Sequence, residues 1–209
     1  MIQKLILLLC LSFCAMSSHA ALITYEFSGA FDRAVDPSSD VAFGDLFQAT
    51  FSYDDAAPLA SIVEPGTRAQ YNTGAISIIS GANSYTAMDT PQLQILDDWV
   101  GSNGTARDNF FISVEMADTS GTGYYLLQID MIDSTATSLN SLAIPDVTTV
   151  EEMAADGRLF LRRFSSRNVE EWAASGRFSS ITPVPVPAAV WLFASGLIGL
   201  ASLARRKIS

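Results

Sequence analysis

The sequence predicts an all-β domain, mainly antiparallel and built as a β-sandwich or jelly roll. One or two short helices are expected near 148–176, and a C-terminal transmembrane helix completes the chain. Three observations predict this. Polar and apolar residues alternate in run after run across the first 135 residues. Glycine, asparagine and aspartate cluster between those runs, as hairpin turns require. Near the end, residues 188–204 carry no charge at all.

The first strand is expected over 23–28, where Ile23, Tyr25 and Phe27 share one face. The second covers 47–53 and stops at Asp54, Asp55 and Pro58. Further strands fall at 74–80, 84–88 and 92–96. Ser102-Asn103-Gly104 then makes a turn. The two longest expected strands, 109–116 and 124–132, flank a spacer containing Gly121 and Gly123, which supplies the positive-φ positions of a hairpin loop. After Pro145 the pattern changes. Thr148 or Thr149 caps a short helix closed by Gly157, and 159–164 reads as a strand. Asn168 caps a second short helix over 169–176, and 178–181 is a last strand before the prolines.

The ends read as addresses. Lys4 precedes a 12-residue apolar run at 5–16, which falls short of the roughly 20 residues an anchor needs. Ser18 and Ala20 place small residues where signal peptidase requires them, so cleavage is expected between Ala20 and Ala21, with an uncleaved anchor as the alternative. At the other end Pro183, Pro185 and Pro187 forbid helix and lead into the span, with Trp191 near its start. Arg205, Arg206 and Lys207 follow at once and should stay cytoplasmic, leaving the bulk of the chain outside. The organisation expected is a leader at 1–20, a folded domain at 21–182, a Pro-rich motif and spacer at 183–188, the span at 188–204 and a basic tail at 205–209.

Val184-Pro185-Val186-Pro187-Ala188, then an apolar span, then Arg205-Arg206-Lys207, resembles the PEP-CTERM sorting signal in its VPxPA (VPLPA-CTERM) variety. The commoner signal has Glu between the prolines, where this chain has Val186. The resemblance covers about the last 26 residues. It implies a Gram-negative source, export through Sec and signal peptidase, transient anchoring in the inner membrane with the domain in the periplasm, and cutting near Pro-x-Pro by an exosortase. It also implies delivery to the cell surface or extracellular matrix, in company with exopolysaccharide and biofilm production.

Composition narrows what the domain does. Both cysteines (Cys10 and Cys14), the only histidine (His19) and both lysines lie in the terminal segments, so residues 21–182 contain none of the three. That excludes disulfides, Cys or His zinc sites and a Ser-His-Asp triad within the domain. Its 22 acidic residues and eight arginines give a net charge of -14, the wrong sign for nucleic acid. No catalytic residue and no cofactor is expected. Weak Ca²⁺ binding, at about 0.1–1 mM, has candidate ligands in Asp32, Asp36, Asp40 and Asp118. Asp54-Asp55 and Asp97-Asp98 are carboxylate pairs, but neighbours on a strand point to opposite faces and form no ready-made acid–base dyad. Tyr124-Tyr125 and Phe110-Phe111 each put one aromatic in the core and one outside, where it is a candidate stacking platform for sugar. Glu151, Glu152, Glu170 and Glu171 are the expected partners of the arginines at 158–177. The reading that follows is a non-enzymatic surface or matrix protein with a structural or adhesive domain. The alternative is a carbohydrate-binding or carbohydrate-acting domain.

Overall fold

The structure is a computed structural model, and it describes residues 22–34, 36, 39–101, 104–118 and 122–184. The signal peptidase site (Ala20, Ala21), most of the sorting motif (Pro185, Val186, Pro187, Ala188), the expected span and the basic Arg205, Arg206 and Lys207 lie outside the described residues. No helix among the described residues is long and apolar enough to cross a membrane.

The expected all-β domain is present, as one continuous antiparallel sheet that curls on itself and not as the two packed sheets expected of a sandwich or jelly roll. In chain order the strands are β1 (Leu22–Ala34), β2 (Leu46–Asp54), β3 (Leu59–Glu64), β4 (Arg68–Asn72), β5 (Ala75–Ser80), β6 (Asn83–Thr86), β7 (Gln92–Val100), β8 (Ala106–Ala117) and β9 (Gly123–Asp133). Helix α1 (Val147–Met153) and a 3-10 turn (Ala154–Asp156) follow, then β10 (Arg158–Ser165) and β11 (Glu170–Pro183). The lateral order is β3-β4-β7-β8-β9-β10-β11-β1-β2-β5-β6.

One long hairpin explains that order. Ser80 faces Asn83 and Ser77 faces Thr86, while Asn72 faces Gln92 and Arg68 faces Leu96. Between the two blocks the Thr73 N–H donates to the Pro91 carbonyl at 3.1 Å. So β4 runs on into β5, β6 runs on into β7, and the two arms meet at a tip around residues 81–82. On one flank β5 pairs with β2; on the other β7 pairs with β8. Ala87, just past β6, bridges Met116 of β8, and the Met88 N–H donates to Glu115 O at 2.9 Å. The hairpin therefore joins the two ends of the sheet. Every strand in the resulting ring neighbours the next in sequence, an up-and-down connectivity, with β3 as an extra edge on β4. Where β4 becomes β5, Gly74 sits at φ +93°, and a Cβ there would lie 1.7 Å from Ser52 O. Only glycine allows the hairpin to cross β2 this closely.

Alternation now has a direction. Tyr25, Phe27 and Phe31 of β1, Phe47, Phe51 and Tyr53 of β2, and Phe110, Ile112 and Met116 of β8 all point inward and are essentially inaccessible. The two halves of the curl meet across the interior: Tyr53 lies against Phe110 at 5.8 Å between ring centres. Tyr125 and Phe110 are the core members of their aromatic pairs; Tyr124 and Phe111 face outward, as the alternation requires.

One end of the roll is plugged by residues 134–157. Val150 and Met153 of α1 are buried in the core. The Tyr71 hydroxyl donates to Leu142 O at 2.8 Å, and the Leu139 N–H donates to buried Asp108 at 2.8 Å. The helix cap is Asp146, which accepts from the Thr149 N–H at 2.9 Å; the expected caps, Thr148 and Thr149, lie inside the helix. Val184 leaves the domain at this same end, its N–H bonded to Thr24 O at 2.8 Å. The expected second helix over 169–176 is instead the start of β11. Trp172, Ala174, Ser175 and Gly176 are buried, and pairing with both β10 and β1 overrides the helical local pattern. Asn168 is not a cap but a turn residue at φ +63°. The β3–β4 pair, at 59–72, has no counterpart among the expected strands.

Candidate functional site: the open mouth of the roll

The end opposite the plug carries a cleft of about 740 Å³. Residues beside four connections line it: Asp40 after β1, Ala82 to Ser84 at the hairpin tip, Asp118 after β8, and Arg163 and Glu171 on either side of the β10–β11 turn. Its inner wall is aromatic. Tyr85 meets Tyr125 edge-on at 4.9 Å, and Tyr125 meets Trp172 at 5.9 Å. Each is the inward-facing third residue of its strand, so the edge of the core borders the cleft here.

The rim is polar. The Tyr125 hydroxyl donates to the Asp40 carboxylate at 2.5 Å. Burial, together with that bond and the Asp40 charge, pushes the Tyr125 hydroxyl up to about 12, so it stays protonated as a donor. Asn83 donates its amide to Asp40 O at 2.8 Å, tying the β1–β2 loop to the hairpin tip. Arg163 is the cation of the site. It pairs with nearly buried Asp118 at 3.0 Å and with Glu171, and lies over the Tyr125 ring at 5.9 Å. Three carboxylates against one guanidinium leave the lining net negative. Tyr85 is 3% exposed, and its hydroxyl finds no hydrogen-bond partner of normal geometry. Burial, reinforced by the Asp40 and Tyr125 charges and opposed by the Asn83 side chain, raises its pKa further still.

The other candidates fall elsewhere. Asp54 serves its turn, accepting the Ala56 N–H at 2.9 Å. Asp97 and Asp98 do not alternate cleanly. An irregularity in β7 between Leu96 and Trp99, with Asp98 at φ +52°, gathers Asp97, Asp98 and Asp108 within 4.8 Å of one another. Hard oxygens in such number suit a divalent cation, yet both Asp108 oxygens already accept backbone N–H groups, from Asp98 and Leu139. The cluster ties β7 and β8 to the plug. Burial, then the Asp108 and Asp98 charges, raise the pKa of Asp97. The Ca²⁺ candidates do not converge: Asp32 pairs with Arg177 and Arg158, Asp118 with Arg163, and Asp40 with Tyr125. Among the described residues the Asp97 group is the only carboxylate trio within that range.

Of the expected ion pairs, Arg162–Glu170 and Arg163–Glu171 form. The expected outward aromatic Tyr124 stacks on Phe164 at 5.2 Å, on the outer face and not in the cleft. The importance of Tyr85, Asn83 and Trp172 was not visible from local sequence, because Asn83 and Tyr85 lie on β6 and Trp172 on β11, and only the curl of the sheet brings them together. Comparison with protein-family models, with curated proteins and with solved structures finds no match.

Proposed function

We propose that this chain is an exported bacterial surface or biofilm-matrix protein, sorted through a PEP-CTERM signal of the VPxPA variety, whose β domain serves as a non-enzymatic structural or adhesive module. The carrying observation is the order of parts in the tail: Val184-Pro185-Val186-Pro187-Ala188, an uncharged run at 188–204, and Arg205-Arg206-Lys207. On this reading 188–204 spans the inner membrane as a helix, the basic residues stop it at the cytoplasmic face, and an exosortase cuts near the Pro-x-Pro motif. Signal peptidase and the Sec machinery act first, removing residues 1–20.

The domain supports the reading in two ways. Its strands begin at Leu22 and end at Pro183, so cleavage after Ala20 and at the Pro185-Val186-Pro187 motif leaves every described strand whole. Its interior is filled by aromatic and aliphatic side chains, and residues 21–182 offer neither Cys, His nor Lys for nucleophilic chemistry. The test is expression in a host carrying the matching exosortase, with the motif intact and with Pro185 and Pro187 both replaced by alanine. Mature protein lacking the tail is expected only when the motif is intact. An intact-motif product whose mass still includes residues 188–209 refutes the sorting reading.

A further inference from the structure

We infer that the mouth cleft is a binding site for a saccharide without negative charge, neutral or amino-bearing. This deepens the adhesive half of the reading above by assigning it a site and a ligand class.

Position comes first. The tail departs at Val184, beside Thr24 at the plugged end, and the cleft opens at the other end of the roll. Trp172 and Val184 are twelve positions apart on essentially one strand, about 35–40 Å at the usual strand rise. A domain held or released at its tail thus presents the cleft outward. The mouth of a closed antiparallel sheet is also where such folds habitually hold small ligands, in cavities of about 300–1,000 Å³.

The lining then selects the ligand. Edges of Tyr85, Tyr125 and Trp172, which are 3%, 6% and 4% exposed, form an apolar floor on which the C–H face of a sugar ring rests. Asp40, Asn83, Ser84 and Glu171 supply acceptors and donors around it at the rim, the pattern that pairs with a ring of hydroxyls. The Tyr85 hydroxyl is the most telling feature. A buried hydroxyl without a well-made hydrogen bond costs about 1–3 kcal/mol; this one has none of normal geometry, only the Asn83 side chain beside it, and its ring stands edge-on to Tyr125 on the inner wall. A ligand hydroxyl entering the cleft supplies the missing bond. Charge sets the remaining limit. Asp40, Asp118 and Glu171 against Arg163 repel phosphate, sulfate and uronate groups, and tolerate or attract an ammonium. Arg163 does not rescue an anion, since it is already shared between Asp118 and Glu171.

The test uses exported protein, taken from the medium where it is cleaved and from detergent-solubilised membranes where it is not, so that binding is read whatever the fate of the tail. Titration calorimetry and ligand-observed NMR measure hexamers of β-linked glucose, of glucosamine and of galacturonic acid. The glucose hexamer, the glucosamine hexamer or both are expected to bind, and the galacturonate hexamer is not. Tyr85→Phe removes only the poorly bonded hydroxyl. It is expected to keep or raise Tm while weakening binding about tenfold, the loss of one good hydrogen bond. Asp40→Asn, which preserves size, is expected to weaken binding as well. The proposal is overturned if neither the glucose nor the glucosamine hexamer binds at millimolar concentration, if galacturonate binds as well as they do, or if Tyr85→Phe leaves affinity unchanged. A purely structural Tyr85 gives that last result. Failure here leaves the tail mass of the sorting experiment untouched, so the two readings fall separately.

Discussion

Asp133→Asn tests how the plugged end is held. Asp133 closes β9, and its carboxylate gathers the loop that follows. It accepts the backbone N–H groups of Thr135 at 2.8 Å, Thr137 at 3.0 Å and Ser138 at 3.0 Å. The hydroxyls of Thr135 and Ser138 donate to it at 2.6 and 2.9 Å. These donors, the Thr135 hydroxyl foremost, hold the carboxyl well below the usual carboxylate range. A folded pKa depressed below the unfolded one, about 3.9, adds stability that is complete above pH 5 or so and is lost as pH falls toward the folded value. Each unit of depression is worth about 1.4 kcal/mol, and Asp133 is partly exposed, so solvent screening reduces the total to about 2 kcal/mol. Asparagine keeps one acceptor oxygen but turns an NH₂ toward groups that are themselves donors. Urea unfolding at pH 7, 4, 3 and 2.5 should show the variant about 2 kcal/mol less stable at pH 7, with the gap closing below pH 4. Asp97 works in the opposite sense: its raised pKa makes its contribution fade as pH rises. Both proteins carry Asp97, so the difference between them removes it. A gap that stays constant with pH, or is below about 0.5 kcal/mol at pH 7, refutes the reasoning.

Two further outcomes test the frame of the roll and its mouth. Gly74→Ala places a methyl 1.7 Å from Ser52 O at φ +93°, and should cost at least about 3 kcal/mol, combining left-handed backbone strain with displacement of β2; unchanged denaturant midpoints would mean the hairpin does not cross β2 as described. Arg163→Met leaves nearly buried Asp118 with the Thr122 hydroxyl but without its ion pair, and should lose about 3 kcal/mol at pH 7; a urea midpoint close to that of the parent would show that the pair adds little to stability.

Much of the fold was legible because its determinant is local. Alternation is a property of a strand and its two faces, so the runs around Tyr25, Phe51, Ile112 and Leu127 could be read directly. β3 could not. All six of its residues, Leu59–Glu64, are exposed, so no buried face imprinted a period on them. The segment at 169–176 misled for a different reason. Asparagine, two glutamates, alanines and a closing glycine imitate a capped helix, while the true determinant, two hydrogen-bonding neighbours, lies in β1 and β10. Asp97-Asp98 was read as two opposed side chains, which holds for regular strand and fails where the strand is irregular. The cleft was the least legible feature: Asp40 and Tyr125 lie 85 positions apart, and curling of the sheet brings them together.

The acidic, lysine-free composition acquires a physical meaning from where the arginines go. Arg158 and Arg177 are held by Asp32, Arg162 by Glu170, and Arg163 by Asp118 and Glu171. Arg68 binds Gln94, and Arg107 lies over the Trp99 ring at 4.7 Å. Six of the eight cations in the domain are thus directed at internal partners, while 22 carboxylates share them. The surplus has to face solvent, and the field outside the domain is accordingly negative. A partner that is itself a polyanion would be repelled before reaching the mouth; one that is neutral or cationic would not. The same imbalance appears on the small scale of the cleft, where one guanidinium answers three carboxylates. Long-range field and local lining therefore select the same class of ligand, and they do so from one feature of the sequence: basic residues few enough to be absorbed within the fold.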